Sequence, residues 1–136
     1  FAGIAAALIK GKLRFPLEIS FDGGEAIKTE ITLAACTNGK YYGGGFIPVP
    51  YTDCSDGILD VCYVNAKRLL AILYLIPKYM KGTHINIKGV NFQKVEKMRI
   101  ESEVELKINV EGELLFAKNI DIEIKKSFVK FIIPAE

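Results

Sequence analysis

N-G-K-Y-Y-G-G-G-F-I-P-V-P-Y-T-D-C-S-D-G-I-L-D-V, residues 38–61, is the stretch around which the rest of this chain is organised. An apolar, β-branched run at 31–36 leads into it, and an alternating strand at 58–64 leads out. Between them stand Gly43, Gly44 and Gly45, whose backbone angles are open to left-handed conformations and which let the chain approach a neighbour or ligand closely. Pro48 and Pro50 then hold an extended path with fewer backbone donors. Three acids follow: Asp53, Asp56 and Asp60. A non-repetitive loop of this length is uncommon unless it is functional or packed down. Composition alone leaves a crossover between two sheets and a functional loop equally open.

The whole chain has 136 residues, enough for one domain with a proper core and short for two. Half the residues are apolar and a quarter charged, as in a globular protein. A net charge of +2 without a basic run gives no argument for nucleic acid. The longest apolar run, 69–76, is far below the roughly 20 residues of a spanning helix. Residues 1–9 lack a basic leader and a cleavage site, so no signal peptide is expected. Cys36, Cys54 and Cys62 form no C-x-x-C and imply reduced thiols and a cytoplasmic protein. His84 is the single histidine and has no partner at ligand spacing, so it is not read as a site.

Outward from the central stretch, the N-terminal side predicts a short helix over 2–9, a strand over 15–21 and a tight turn at Asp22-Gly23-Gly24. A single returning strand over 26–37 follows. On the C-terminal side, Leu69, Ile72, Leu73, Ile76 and Met80 recur at helical spacing and predict a helix over 66–81. Leu70, Tyr74 and Leu75 widen the stripe, which implies a heavily covered helix packed on a sheet. A membrane-surface role for that face, beside Lys78 and Lys81, is the second reading. Asn65 is the expected N-cap and Gly82 the expected stop, and Pro77 should kink or break the last turn. Strands are then expected at 85–90, 96–102, 105–110, 120–125 and 128–132. The sum is a mainly β, single-domain fold over 1–136: an antiparallel β-sandwich or partly closed barrel, with one inserted α-helix and a short N-terminal helix.

Two places carry candidate chemistry. The carboxylates around Asp56-Gly57 suit a hard cation with oxygen ligands, and backbone carbonyls could complete such a site; plain turn chemistry is the alternative. Glu111-Gly112-Glu113 closes an alternating strand and reads, on its residues alone, as a solvated hairpin end.

The ordered set N-G-x-Y-Y-G-G-G, a proline, S-D-G-I-L-D-V, I-P-K-Y-M-K-G-T-H (76–84), M-R-I-E-S (98–102) and V-E-G-E (110–113) resembles the C-terminal domain of the diacylglycerol kinase family. That family includes the YegS-type bacterial lipid kinases and, more distantly, the sphingosine and ceramide kinases. The resemblance implies that the Asp56 side chain binds a structural Mg2+, with Asp53 and Ile58 contributing backbone carbonyls. Ser55 stands where the family often has an acid, which weakens the charge of such a site. The family's D-G-E pattern implies that Glu113 is the catalytic base for the acceptor hydroxyl; Glu111 departs from its first aspartate.

ATP in that family is held by an N-terminal domain with a G-G-D-G-T loop, a motif this sequence lacks. The resemblance therefore implies the C-terminal half of a two-domain lipid kinase, expected to be inactive without its partner domain. The parent would transfer the γ-phosphoryl group of ATP to a hydroxyl of diacylglycerol or a related lipid at the membrane surface. A face bared by the missing N-terminal nucleotide-binding domain leaves homodimerisation open. A non-catalytic β-sandwich binding module is the rival reading.

Overall fold

A computed structural model describes residues 14–65 and 68–126. Seven strands and one helix follow in the order β1 (Phe15–Phe21), β2 (Ile27–Ile31), β3 (Leu33–Thr37), β4 (Leu59–Val64), α1 (Leu69–Lys81), β5 (Val90–Val95), β6 (Lys97–Val110) and β7 (Glu113–Glu123). They form two antiparallel sheets, β2-β1-β6-β7 and β3-β4-β5. The expected sandwich is therefore present, and no barrel closes among the described residues. The expected helix at 2–9 and strand at 128–132 lie outside the described residues.

Between the sheets lies the main core. Leu17, Ile19, Ile31, Met98, Ile100 and Leu106 face Leu59, Val61 and Val95 across it. Alternation places Cys62 on the opposite face of β4, where it joins Val49 and Tyr79 in a second apolar cluster. β4 is thus covered on both sides, which explains why L-D-V-C-Y-V is almost wholly apolar. The outer cover is the central loop together with α1.

Several expected boundaries move. The returning strand over 26–37 is two strands, because the chain passes from one sheet to the other at Thr32, whose N–H donates to Val64 O at 2.8 Å. No glycine, proline or other turn residue stands within 26–37, so the sequence marks no change of sheet there. Residues 85–89 form turns, not a strand, and β5 begins only at Val90. Gly89 at φ +88° breaks the apparent run there. The two strands expected at 96–102 and 105–110 are one, β6, whose register with β7 shifts between Glu101 and Leu106. β7 starts at Glu113, well before the expected 120, since Leu114, Leu115 and Phe116 are all exposed and show no alternation to read.

The helix is shorter than expected and only half covered. It starts at Leu69 with Arg68 as N-cap and no side-chain cap, runs through Pro77, and ends at Gly82 in the left-handed region. A Cβ on Gly82 would come within 2.9 Å of Ile47 Cγ2, so glycine is required there twice over. Asn65 is not the cap. Its amide nitrogen donates to Thr29 Oγ1 at 2.9 Å and to Glu30 O at 2.8 Å, and its oxygen accepts from Asn91 at 2.6 Å. Asn65 therefore stitches the two sheets together.

Candidate functional site: an acidic loop and a hairpin tip

The loop between β3 and β4 is packed down. Pro48 and Val49 are buried, and His84 lies beneath them with no exposed surface. Pro48 O lies 2.9 Å from His84 Nε2, and the ring lies 4.8 Å from Tyr79 and 5.5 Å from Phe92. Cys62 Sγ is 3.8 Å from the same nitrogen. This histidine–cysteine pair, invisible in the sequence, is structural: burial pushes the Cys62 thiol up to about 12, so it stays protonated. Gly43, Gly44 and Gly45 do take positive φ, at 47°, 80° and 97°. A Cβ on any of them would meet nothing within 4 Å, so they serve backbone conformation rather than close approach within the domain.

Past Pro50 the loop turns twice on its own acids. Asp53 Oδ1 accepts from the N–H and the hydroxyl of Ser55, at 2.9 and 2.6 Å. Those bonds hold the Asp53 carboxyl below its usual range. Asp56 Oδ1 accepts from Ile58 N at 2.9 Å, closing a turn through Gly57 at φ +68°. The turn delivers the chain into β4, where Asp60 is 1% exposed on the outer face. Both Asp60 carboxylate oxygens lack a hydrogen-bond partner. Lys94 of β5, the cross-strand partner of Asp60, places Nζ 3.6 Å from Asp60 Oδ1 and 3.0 Å from Asp56 Oδ2. Hydrogen bonding to Asp56, ahead of attraction to Asp60, raises the Lys94 ammonium above its ordinary range.

The site so assembled is two carboxyl groups around one ammonium, one of them buried and ion-paired but without a hydrogen bond among the described residues. An ionised carboxylate out of water strongly favours a nearby cation. A carboxylate beside loop carbonyls is a donor set of the kind a hard cation takes, and at Asp56 such an ion would compete with the Lys94 ammonium. Among the described residues no group of three or more histidine, cysteine, aspartate or glutamate side chains is arranged to hold a metal. Lys94 is the member of this cluster that sequence reasoning missed. It lies 38 residues from Asp56 and only the β4–β5 register joins them.

Glu113 lies elsewhere. It opens β7 opposite Val110, across a turn in which Glu111 and Gly112 take φ 49° and 95°. Gly112 N donates to Asn109 Oδ1 at 3.2 Å. Among the described residues β1 pairs with β6 only over Met98–Glu101, and past Leu106, which still packs in the core, the β6–β7 hairpin runs on as a two-stranded arm. Its outer part exposes Val110, Leu114, Leu115 and Phe116, with Glu113 exposed at the tip. Among the described residues no hydrogen bond or ion pair joins Glu113 to the Asp56 cluster.

Two antiparallel sheets, a helix laid on the smaller one and an acidic loop entering its central strand define the class: a β-sandwich domain of the NAD kinase-like type. The chain belongs to the family described as the YegS C-terminal NAD kinase beta sandwich-like domain, which it matches over residues 5–132. It is 33% identical over 86 residues to a diacylglycerol kinase of Mycobacterium tuberculosis (strain ATCC 25618 / H37Rv), covering 63% of this chain and 28% of that one. With a diacylglycerol kinase of Bacillus subtilis (strain 168) it shares 24% identity over 117 residues, covering 82% of this chain and 38% of the relative. A solved structure from Bacillus anthracis str. Sterne, provisionally named a diacylglycerol kinase, superposes with a TM-score of 0.68 at 28% identity, covering 90% of this chain and 42% of that one. The chain thus spans well under half the length of these relatives. No helix among the described residues is long and apolar enough to cross a membrane.

Proposed function

We propose that this domain is the acceptor-side half of an ATP-dependent lipid kinase that phosphorylates a hydroxyl of diacylglycerol or a related lipid. The observation that carries the reading is the arm. A two-stranded ribbon is marginal alone and needs a surface to pack on. This one carries exposed Leu114, Leu115 and Phe116 directly behind Glu113. A second domain seated on those side chains, as the length of the relatives suggests, would receive Glu113 at its nucleotide site.

The chemistry then divides in a simple way. Phosphoryl transfer is governed by positioning and charge stabilisation at the donor phosphates, which falls to the nucleotide-binding domain. The acceptor hydroxyl must lose its proton as the new P–O bond forms and the bond to the leaving diphosphate breaks. The Glu113 carboxylate takes that proton. The loop site is structural in this reading. Asp56 by its carboxylate, with Asp53 and Ile58 by their carbonyls, would hold Mg2+, which supplies charge to pin the loop against β4.

The test compares the full-length protein with this domain in ATP calorimetry and in transfer of labelled phosphate to diacylglycerol in detergent micelles. The full-length protein should bind ATP and phosphorylate the lipid; the domain should do neither. Micromolar ATP affinity in the domain would overturn the division of labour. A full-length protein inert toward lipid hydroxyls would overturn the kinase reading.

A further inference from the structure

Helix α1 buries one face and leaves an apolar one in water. Ile72, Leu75 and Tyr79 are buried on the domain side. Leu69, Leu70, Leu73 and Tyr74 are exposed, Leu70 at 78% and Tyr74 at 58%. At about 100° per residue these four, with exposed Pro77, form one band on the side opposite the buried three. Lys81 falls within the band and Lys78 at its border, with Lys78 Nζ 5.0 Å from the Tyr74 ring centre. Single exposed leucines need no explanation, but a contiguous apolar band rimmed by charge does.

The charge around the band is one-sided. Residues 61–95 hold six lysines and arginines and no aspartate or glutamate, leaving twelve basic and sixteen acidic residues for the rest of the chain. The segment that carries the apolar band is therefore strongly basic inside a chain that is otherwise acidic.

We propose that this face of α1 is an interfacial docking surface for an anionic lipid bilayer. Leu69, Leu70, Leu73 and Tyr74 enter the headgroup boundary, while Lys78 and Lys81 meet the lipid phosphates. A second copy of the chain fits less well, because a self-complementary contact would bring two acid-free basic segments together. The helix has 13 residues, about 20 Å of length, so it lies on a bilayer and does not span one. The inference rests on the lipid kinase reading, in which the acceptor resides in a membrane, and it names the surface that brings the domain there.

The experiment is cosedimentation of the full-length protein with phosphatidylcholine vesicles, with and without phosphatidylglycerol. The wild type should bind the anionic vesicles far better than the neutral ones. Leu70→Ser/Tyr74→Ser should bind at least about tenfold more weakly, because two of the apolar side chains that enter the bilayer are gone. Lys78→Glu/Lys81→Glu should lose about 25-fold or more, with a flattened salt dependence. Ile27→Ser, an exposed apolar change on β2, should bind like the wild type. If the first variant lowers the melting temperature, the second decides.

Wild-type protein that ignores anionic vesicles, or α1 variants that bind as it does, would overturn the docking surface. So would a dimer that Leu70→Ser/Tyr74→Ser dissociates while vesicle binding is unchanged. Phosphorylation of micellar diacylglycerol by the wild type reports separately on the kinase. Vesicle binding that follows these expectations without any phosphorylation keeps the docking surface and removes the kinase reading.

Discussion

Lys94 holds Asp56: the ammonium of one lies 3.0 Å from the carboxylate of the other, across the gap between β5 and the loop that feeds β4. The same ammonium is the nearest cation to the buried Asp60, at 3.6 Å. One ammonium thus serves two carboxyl groups, and neither Asp60 oxygen has a hydrogen bond among the described residues.

The proposed Mg2+ site can be tested through stability. A ligand that binds only the folded state raises the melting temperature with its concentration. Millimolar Mg2+ should therefore stabilise the wild-type domain, and Asp56→Ala should abolish the effect. Lys94→Met, which removes the competing ammonium, should enlarge it. A melting shift that is the same in Asp56→Ala as in the wild type would refute the site.

For Glu113 the expected loss is catalytic and not structural. Glu113→Gln keeps the shape at the arm tip and removes the basic oxygen. In the full-length protein kcat should fall by roughly 10²–10⁴-fold, the usual worth of a general base. The melting temperature should hold, since the side chain is exposed at the start of β7. Glu111→Gln, two residues earlier in the same turn, should cost far less. Equal, modest losses in both variants would assign Glu113 to the hairpin alone.

Alkaline pH should unfold this domain early. Burial pushes the Cys36 thiol up to about 11 and the Cys62 thiol up to about 12, from an ordinary value of 9.0, and also raises the Tyr79 phenol. The folded state therefore keeps protons that the unfolded chain gives up. Stability from these groups is complete below pH 9 and is lost as pH rises through the folded values. Urea midpoints measured between pH 8 and pH 11 should fall steadily, and Cys62→Ala should flatten the slope. In thiol labelling at pH 8, exposed Cys54 should react well before Cys36 or Cys62.

Asn65 should be costly to replace although it lies between elements. Asn65→Ala removes two donated bonds and one accepted bond, and leaves Thr29 and Asn91 short of partners in a half-buried setting. The expected loss is about 1–3 kcal/mol in urea unfolding. Asn65→Asp should cost at least as much, because it sets a carboxylate oxygen against the Glu30 carbonyl that Asn65 donates to. A loss below about 0.5 kcal/mol would show that the two sheets do not depend on this residue.

Local chemistry was legible in the sequence because it acts over a few residues. Two-residue alternation marked β1, and the central helix followed from its apolar spacing. Asp22 and Gly23 carry the positive φ values expected of their turn, at 50° and 75°. Gly82 stops α1 because only glycine fits that conformation against Ile47. The ordered motifs were enough to place the chain in its family, whose match spans nearly all of it.

What spans the sheets was decided by the tertiary structure alone. At Thr32 a run that reads as one strand passes into strands of two different sheets, with no glycine or proline to mark the change. Asn65 reads as a helix cap from its neighbours, yet Thr29, Glu30 and Asn91 reach it first through the pairing of distant strands. Lys94 meets Asp56 and Asp60 only because β4 and β5 pair in one register. The apolar stripe of α1 gave the helix but not which of its residues would be covered. That depended on how much of the helix surface the smaller sheet could reach, and it reaches Ile72, Leu75 and Tyr79 while leaving Leu70 and Tyr74 in solvent. Periodicity records which residues share a face; only packing determines what that face meets.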